Sequence, residues 1–196
     1  MGKRGKPDHY TDRAKKAGYK ARSIYKLQEI DAKAGLFRSG MRVLDVGAAP
    51  GSWTQYALER VGTSGEVVSV DLLPVEVRAG KNLTVIEGDI TEEPVRARLA
   101  EAGPYDVVLS DAAPSTTGNR TVDSARSAEL VEIVFSVVDE LLKGGGSMVA
   151  KLFQGGDEQE LLRAARARFR SAKLQRPDAS RSDSFEVFIV GVGLKG

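Results

Sequence analysis

The chain has 196 residues, of which 41% are hydrophobic and 29% are charged, and this composition is typical of a globular protein with one sizeable core. It has no cysteine and one histidine, His9, which excludes disulfides and thiolate metal sites and argues against a zinc site or a Ser-His-Asp triad. No apolar stretch reaches the roughly 18 residues that span a bilayer, and the start MGKRGK has no export signal, so we expect a cytoplasmic protein with a single domain over residues 1–196.

The charges are segregated along the chain. Residues 1–26 contain nine Lys or Arg against two Asp, residues 163–181 contain seven against one, and residues 27–162 contain twelve against twenty-two acidic residues. Two basic segments around an acidic body indicate a surface that binds RNA or DNA, provided that both segments fall on one face. For each segment alone, a disordered tail or a solvated helix face is the alternative. We expect residues 1–22 to be partly flexible.

The predicted elements alternate between helices and strands. The first helix, in ARSIYKLQEIDAKAGL, has Ile24, Leu27 and Ile30 at helical spacing and ends near Gly35. The elements that follow are a strand in MRVLDVG, a helix in GSWTQYALERVG closed by Gly62, strands in GEVVSVDL and NLTVIEGD, a helix in TEEPVRARLAEAG with Thr91 as its N-cap, a strand in YDVVLSDAAP, a long helix in VDSARSAELVEIVFSVVDELLKGGG stopped by its glycines, a strand in SMVAKLF, a helix across residues 157–170, and strands in AKLQRP and SFEVFIVGV.

This order of elements predicts an α/β fold. Strands that are apolar on both faces and alternate with helices indicate a parallel sheet covered on both sides. The last two strands are joined by a short loop, so they should pair as an antiparallel hairpin. A mostly parallel seven-stranded sheet with such a C-terminal hairpin resembles the class I S-adenosylmethionine-dependent methyltransferases, which have a Rossmann-like fold.

The loop after the first strand, in LDVGAAPGSW, is a candidate cofactor loop. Gly47 and Gly51 allow a tight turn and the close approach of a ligand. The dinucleotide fingerprint G-x-G-x-x-G is missing because Ala49 occupies its second glycine position, which disfavours a dinucleotide oxidoreductase. Asp45 before the loop suggests a cationic or amine-bearing ligand. The pattern D-x-G-x-x-P-G resembles the first motif of the class I methyltransferases, whose ligand S-adenosylmethionine is a sulfonium with an amino acid tail.

Three further aspartates end the next three strands. Asp71 lies about twenty residues past Gly51, where a carboxylate accepts ribose hydroxyls, and Asp89 is placed to reach the adenine amino group with Ile90 packed on the ring. Such aspartates also serve as helix caps and turn residues, but four of them behind a glycine loop favour a nucleoside cofactor. The predicted cofactor residues are Asp45, Gly47, Ala48, Pro50, Gly51, Trp53, Asp71, Leu72, Asp89, Ile90 and Asp111, with Trp53 equally consistent with a place in the core.

Two charged residues lie in otherwise apolar strands. Lys151 interrupts SMVAKLFQGG, and Glu186 begins the run of SFEVFIVGVG. In the predicted sheet Asp111, Lys151 and Glu186 converge on one edge beside the methyl donor, because the last strand runs antiparallel to its neighbours. Lys26 on the first helix is placed to close a fourth side.

Over nearly its whole length the chain resembles the FtsJ-type ribosomal RNA 2′-O-methyltransferases. A Lys-Asp-Lys-Glu tetrad marks that family, and Lys26, Asp111, Lys151 and Glu186 match it in order. Two departures are Ser115, where such enzymes often have Asn, and SDSFE, which is less basic than the usual loop. The matching stretches are DHYTDRAKKAGYKARSIYKLQEI, VLDVGAAPGSWTQ, VDLLP, GDI, SDAAPSTTG, VAKLFQG and SRSDSFEVFIV.

The resemblance implies an S-adenosylmethionine-dependent enzyme that methylates the ribose of a uridine in 23S ribosomal RNA and supports ribosome assembly. It implies S-adenosylhomocysteine as product, no metal, and ribosomal RNA within the large subunit as partner. From the residues themselves we expect no membrane partner, and nothing in the sequence demands more than a monomer. Lys151 would accept or steer the 2′-hydroxyl proton, Lys26 and Glu186 would orient the ribose, and Asp111 would hold Lys151. The alternatives are a tRNA ribose 2′-O-methyltransferase and a non-catalytic RNA-binding assembly factor. A small-molecule O-methyltransferase has no use for two basic segments.

Overall fold

A computed structural model of the protein describes residues 9–78, 80–180 and 184–196. Of the segment expected to be partly flexible, residues 1–8 lie outside these described residues. None of the described helices has the length and apolar character to cross a membrane. The helices are α1 (His9–Lys16), α2 (Ile24–Ala34), α3 (Ser52–Val61), α4 (Glu93–Ala102), α5 (Arg120–Leu141) and α6 (Glu158–Arg168). The strands are β1 (Arg42–Val46), β2 (Glu66–Asp71), β3 (Leu83–Glu87), β4 (Tyr105–Ser110), β5 (Leu142–Phe153), β6 (Phe169–Gln175) and β7 (Glu186–Leu194).

The strands of the described residues form one seven-stranded sheet in the order β3-β2-β1-β4-β5-β7-β6. Strands β1 to β5 pair in parallel, and β7 lies antiparallel between β5 and β6. The predicted α/β class, with a mostly parallel sheet and a C-terminal antiparallel hairpin, is confirmed. The strand order reverses between β1 and β4, and in open α/β sheets ligands bind at the carboxyl ends of the strands near such a point.

Helices cover both faces of the sheet, as its apolar strands require. Val149 of β5 packs with the residues of α2 and α3 on one face. Its neighbour Met148 packs with those of α4, α5 and α6 on the other face. Successive side chains of a strand point to opposite faces, so one apolar run contributes to both layers. By the same alternation, Lys151 and Phe153 lie on the face of Val149.

Three predicted helix ends can be compared with the structure. Helix α2 ends before Gly35, which has the left-handed φ of 63°, and α3 ends before Gly62, so both predicted stops are confirmed. The predicted N-cap Thr91 is wrong, because α4 begins at Glu93 and is preceded by Glu92. Thr91 instead donates its backbone N–H and its hydroxyl to Asp89 Oδ1, at 2.8 and 2.7 Å, and so fixes the turn after β3.

The long helix α5 differs from its prediction at both ends. It begins at Arg120, because the side chain of Asn119 accepts hydrogen bonds from the backbone N–H groups of Thr121 and Val122. It ends at Leu141, before the glycines that were expected to stop it. Leu142 is already buried and paired with Tyr105 of β4, so residues 144–146 lie within β5, beside an irregularity in its pairing with β4.

Candidate active site

A cavity of about 470 Å³ lies at the carboxyl ends of β1 to β4, where the strand order predicts a ligand site. This volume is within the usual range for sites that hold small molecules. The cavity walls come from the loops after these strands and from one side of α5. The predicted cofactor residues that line it are Gly47, Asp71, Leu72, Asp89, Ile90 and Asp111.

The loop after β1 runs so close to the loop after β4 that a side chain does not fit between them. Gly47 has a φ of 69°, and a Cβ atom on it would lie 2.6 Å from Cβ of Ala112. Both the backbone conformation and the contact therefore require glycine at this position. The effect is a wall of bare backbone on one side of the cavity.

Two of the strand-end aspartates are held in place by hydrogen bonds from loop residues. Asp71 accepts from the backbone N–H of Ala49 through Oδ2, at 2.9 Å, and from that of Leu73 through Oδ1, at 2.8 Å. The hydrogen bonds from Thr91 lower the pKa of Asp89, and the bond from its backbone N–H has a larger effect than the bond from its hydroxyl. Both carboxylates line the cavity in fixed orientations, so they are available as acceptors for a polar ligand.

Asp45 is buried and does not line the cavity. Its Oδ2 accepts from the hydroxyl of Thr54 at 2.7 Å, and within the described residues its buried Oδ1 has no hydrogen-bond partner. Burial raises the pKa of Asp45 to about 7, and the charges of Asp111 and Asp71 act in the same direction, against the bond from Thr54. A buried carboxylate oxygen without a donor is costly, so a cation bound nearby would stabilise it.

Four other predicted cofactor residues are also outside the lining of the cavity: Ala48, Pro50, Gly51 and Trp53. The indole of Trp53 is 2% exposed and packs against the ring of Phe188, with centroids 5.8 Å apart. Its Nε1 donates to the carbonyl oxygen of Ser23 at 3.0 Å. The structure thus places the Trp53 side chain in the core between α3, β7 and the start of α2, which is the alternative that its sequence position left open.

The four residues of the Lys-Asp-Lys-Glu tetrad come together beside the cavity as two ion pairs. Nζ of Lys151 lies 3.0 Å from Oδ1 of Asp111 and also donates to the Asp111 carbonyl oxygen at 2.5 Å. Nζ of Lys26 lies 2.5 Å from Oε1 of Glu186. The four side chains are between 10% and 18% exposed, so each charge depends on its partner for stabilisation.

The two ion pairs adjoin each other through β7. Phe188 lies directly opposite Lys151 in the β5–β7 pairing, and Nζ of Lys26 lies 5.9 Å from the centroid of the Phe188 ring. Burial alone would raise the pKa of Glu186, but the hydrogen bond and charge of Lys26, with a contribution from the charge of Lys151, lower it. Glu186 is therefore ionised at neutral pH, between two lysines.

Glu29, one helical turn after Lys26, was not predicted from the sequence. Its carboxylate accepts hydrogen bonds from the backbone N–H groups of Asp178 and Ala179, at 2.6 and 2.9 Å. These bonds tie α2 to the loop between β6 and β7. Because α2 carries Lys26 and β7 begins at Glu186, the tie joins the two elements that hold the second ion pair. The contacts span 149 and 150 residues, so no local pattern reveals them.

The two basic segments meet in part. The loop of residues 176–180 packs against α1 and α2 through Ala179, whose carbonyl oxygen accepts from Arg22 at 2.5 Å. Arg168 of α6 instead pairs with Asp139 of α5 at 2.8 Å and stacks over the ring of Phe135. Within the described residues, the N-terminal segment and the β6–β7 loop therefore meet at Arg22 and Ala179, beside the elements that carry Lys26 and Glu186.

The chain is similar to known proteins over most of its length. The model of the family described as FtsJ-like methyltransferase matches residues 19–194, which is most of the chain. The chain belongs to the FtsJ-like methyltransferase family. All four tetrad residues and all the residues that line the cavity fall within the part of the chain that matches the family.

Relatives of this family member match it over almost their full length. It is 50% identical over 189 residues to the ribosomal RNA large subunit methyltransferase E of Syntrophobacter fumaroxidans, covering 96% of each chain. It is 45% identical over 195 residues to the protein of the same name from Treponema denticola, covering 99% of this chain and 98% of that one. A crystal structure of a protein assigned as a ribosomal RNA methyltransferase from Plasmodium falciparum superposes with a TM-score of 0.79 at 26% identity, over 91% of this chain and 100% of the other.

Proposed function

We propose that the protein transfers a methyl group from S-adenosylmethionine to the ribose 2′-hydroxyl of a uridine in 23S ribosomal RNA, with S-adenosylhomocysteine as the second product. The observation that carries the proposal is the double position of Asp111. Asp111 lines the cavity, and its carboxylate also pairs with Lys151. A methyl donor in the cavity and an acceptor beside Lys151 are therefore neighbours.

The residues of the cavity fit S-adenosylmethionine. When bound, it supplies a methyl group that is already activated on a sulfonium. Asp71 is assigned to the ribose hydroxyls, and Asp89 with Ile90 to the adenine. The bare backbone at Gly47 gives room for close approach, and the unpartnered Oδ1 of Asp45 favours a ligand that carries positive charge. The proposed chemistry requires no metal.

The tetrad is assigned to the acceptor. Lys26 and Glu186 orient the ribose, and Asp111 holds Lys151 so that Nζ faces the 2′-hydroxyl. In the transfer, the 2′-oxygen would bond to the methyl carbon as the carbon–sulfur bond breaks. The hydroxyl proton would pass to Nζ of Lys151, which must first have released its own extra proton, or would be steered to solvent by the charged Nζ. Since the donor is already activated, holding the two reactants in line supplies much of the acceleration.

The choice of RNA rests on the relatives and on charge. Both bacterial relatives are named as methyltransferases of large-subunit ribosomal RNA. The basic residues near the tetrad suit a phosphate backbone. We further propose a cytoplasmic monomer that acts on the RNA within the large ribosomal subunit, with residues 1–196 forming one domain.

Two variants of Lys151 test the assignment of the tetrad. For Lys151→Ala we expect kcat to fall by about 10² to 10⁴, the range for loss of a general base, while the affinity for S-adenosylmethionine stays within about twofold. Lys151→Arg keeps a cation beside Asp111 but cannot take up a proton, so it should also be slow. Unchanged turnover in Lys151→Ala, with cofactor binding intact, would overturn the assignment. Fast turnover in Lys151→Arg alone would reduce the role of Lys151 to steering.

A non-catalytic RNA-binding factor is the second candidate, because the basic surface alone serves it equally well. Thermal unfolding with and without S-adenosylmethionine separates the two. A ligand that binds only the folded protein at 100 times its Kd stabilises it by about 2.7 kcal/mol, which is a clear rise in Tm. An RNA-binding factor without a methyl donor would show no rise.

A further inference from the structure

A cluster of two aromatic rings and one arginine lies at the acceptor side of the tetrad. The rings of Phe153 and Phe185 are 4.8 Å apart between centroids, at an interplanar angle of 55°. Cζ of Arg120 lies 5.0 Å from the centroid of the Phe185 ring. Nε of Arg120 donates to the carbonyl oxygen of Gln154 at 3.4 Å. Phe153, Phe185 and Arg120 are called the aromatic–arginine cluster below.

The position of this cluster follows from the sheet. Phe153 ends β5 and is directly opposite Glu186 in the pairing with β7. It also lies on the same face of β5 as Lys151, because alternate residues of a strand share a face. Phe185 is the residue before Glu186. The cluster thus borders the place where the acceptor ribose is proposed to lie, and none of its three residues lines the cofactor cavity.

The two rings are partly exposed, and packing in the hydrophobic core does not account for their position. Both Phe153 and Phe185 are half-buried, and Arg120 is exposed. Neither ring belongs to the buried clusters that the described residues form. Partly exposed aromatic rings and arginine planes are the surfaces on which proteins stack unpaired RNA bases.

The proposed reaction requires a surface that binds an unstacked base. The tetrad is largely buried, so the ribose of a nucleotide inside a stacked helix cannot reach it, and the acceptor nucleotide must leave its stack. Unstacking is costly unless the base finds a new partner. We propose that the aromatic–arginine cluster stacks an RNA base at, or next to, the acceptor nucleotide. This inference rests on the proposed function.

Variants of Phe185 test the proposal. Phe185→Leu keeps apolar volume but loses the aromatic face, and we expect KM for RNA to rise about tenfold, the size of a lost base–aromatic contact. KM for S-adenosylmethionine and Tm should not change, since the ring contacts neither the cavity nor the core. Phe185→Tyr keeps the face and should bind RNA more tightly than Phe185→Leu.

A matched pair of arginine variants gives an independent measurement. Arg120→Lys keeps the charge but loses the guanidinium plane, and Arg120→Ala loses both, so both should raise KM for RNA, the second more strongly. Arg98→Ala removes an exposed arginine from α4, outside the cofactor cavity, and serves as the control for charge alone. Equal effects of Arg120→Ala and Arg98→Ala would reduce the role of Arg120 to general attraction.

The decisive experiment removes the base instead of the ring. Once the methylated nucleotide is mapped, RNAs with an abasic site at that nucleotide or at either neighbour are tested with the wild type and with Phe185→Leu. At one of the three positions, the abasic site should weaken the wild type about tenfold and have little further effect on Phe185→Leu, because both changes remove one contact. Additive effects at all three positions would overturn the inference. Failure of the wild type to methylate any RNA would overturn the proposed function itself.

Discussion

The donor and acceptor halves of the site are built in different ways. The donor half is a cavity in which Asp71 and Asp89 lie at strand ends and are fixed by hydrogen bonds from loop residues, as Asp89 is by Thr91. The acceptor half consists of two ion pairs whose members come from α2, β5, β7 and the loop after β4. Changes in the donor half should therefore alter cofactor affinity, whereas changes in the acceptor half should alter turnover, RNA binding and stability.

Among the variants that should affect one half of the site and not the other, we expect Lys26→Met to have the largest effect. It leaves the buried Glu186 without its cation, so we expect kcat to fall about 100-fold and the free energy of unfolding at pH 7 to fall by about 3 kcal/mol. Affinity for S-adenosylmethionine should not change. Denaturant unfolding, enzyme assays and calorimetric titration with the cofactor measure the three quantities.

The pH dependence of that variant gives a second check. Without Lys26, burial is the dominant influence and raises the pKa of Glu186, so the folded protein takes up a proton more readily than the unfolded chain does. The loss of stability should then shrink as the pH is lowered from about 7 to about 5. The double variant Lys26→Met with Glu186→Leu removes both charges and should recover much of the stability. An equal loss at both pH values would contradict a buried ion pair.

A smaller effect, confined to the acceptor half, is expected from Glu29→Ala. It removes both hydrogen bonds from α2 to the β6–β7 loop, and with them the fixed distance between Lys26 and Glu186. We expect kcat to fall about tenfold with no change in cofactor affinity, since small misplacements of positioning groups are costly. Glu29→Gln retains an acceptor oxygen and should lie between the two. Lys33→Ala, on the exposed end of α2, is the control, and an equal loss there would mean that any change in α2 has this effect.

The smallest effect is confined to the donor half and comes from Asp45. Because its pKa is raised to about 7 in the free protein, a cationic ligand binds best to the ionised form. Calorimetric titration should show affinity for S-adenosylmethionine rising by at most about tenfold from about pH 6 to about pH 8, with proton release on binding. In Asp45→Asn this dependence should disappear. A pH-independent Kd in the wild type would show that Asp45 does not sense the ligand.

The two halves also differ in how far the sequence predicts them. Gly47, Asp71 and Asp89 could be placed at the cavity because each ends a strand of evident hydrophobic pattern, and parallel strands end on one edge. The same pattern does not predict which way each side chain in that region points. Asp45 accepts from Thr54 and does not line the cavity, and the phase of α3 turns the indole of Trp53 into the core.

In the acceptor half, the sequence predicts only those residues that the strand order or the family motif identifies. Because the last strand is antiparallel, its first residue Glu186 lies at the same edge of the sheet as Lys151, near the end of β5. The order and direction of the strands are enough to predict this. Glu29 and Phe185 carry no such signal. The partners of Glu29 are distant in the sequence, and Phe185 precedes β7, where the loop conformation decides its neighbours. Tertiary contacts of this kind leave no periodic pattern in the chain.

The most direct test of the account is transfer of a tritiated methyl group from S-adenosylmethionine to large ribosomal subunits, naked ribosomal RNA and bulk tRNA in separate reactions. The account predicts label in large-subunit RNA that survives alkaline hydrolysis as a dinucleotide, because a 2′-O-methyl group blocks cleavage at the modified nucleotide. Label confined to tRNA would keep the chemistry but contradict the substrate. No label in any of the three RNAs, from protein that binds S-adenosylmethionine, would contradict the proposed function.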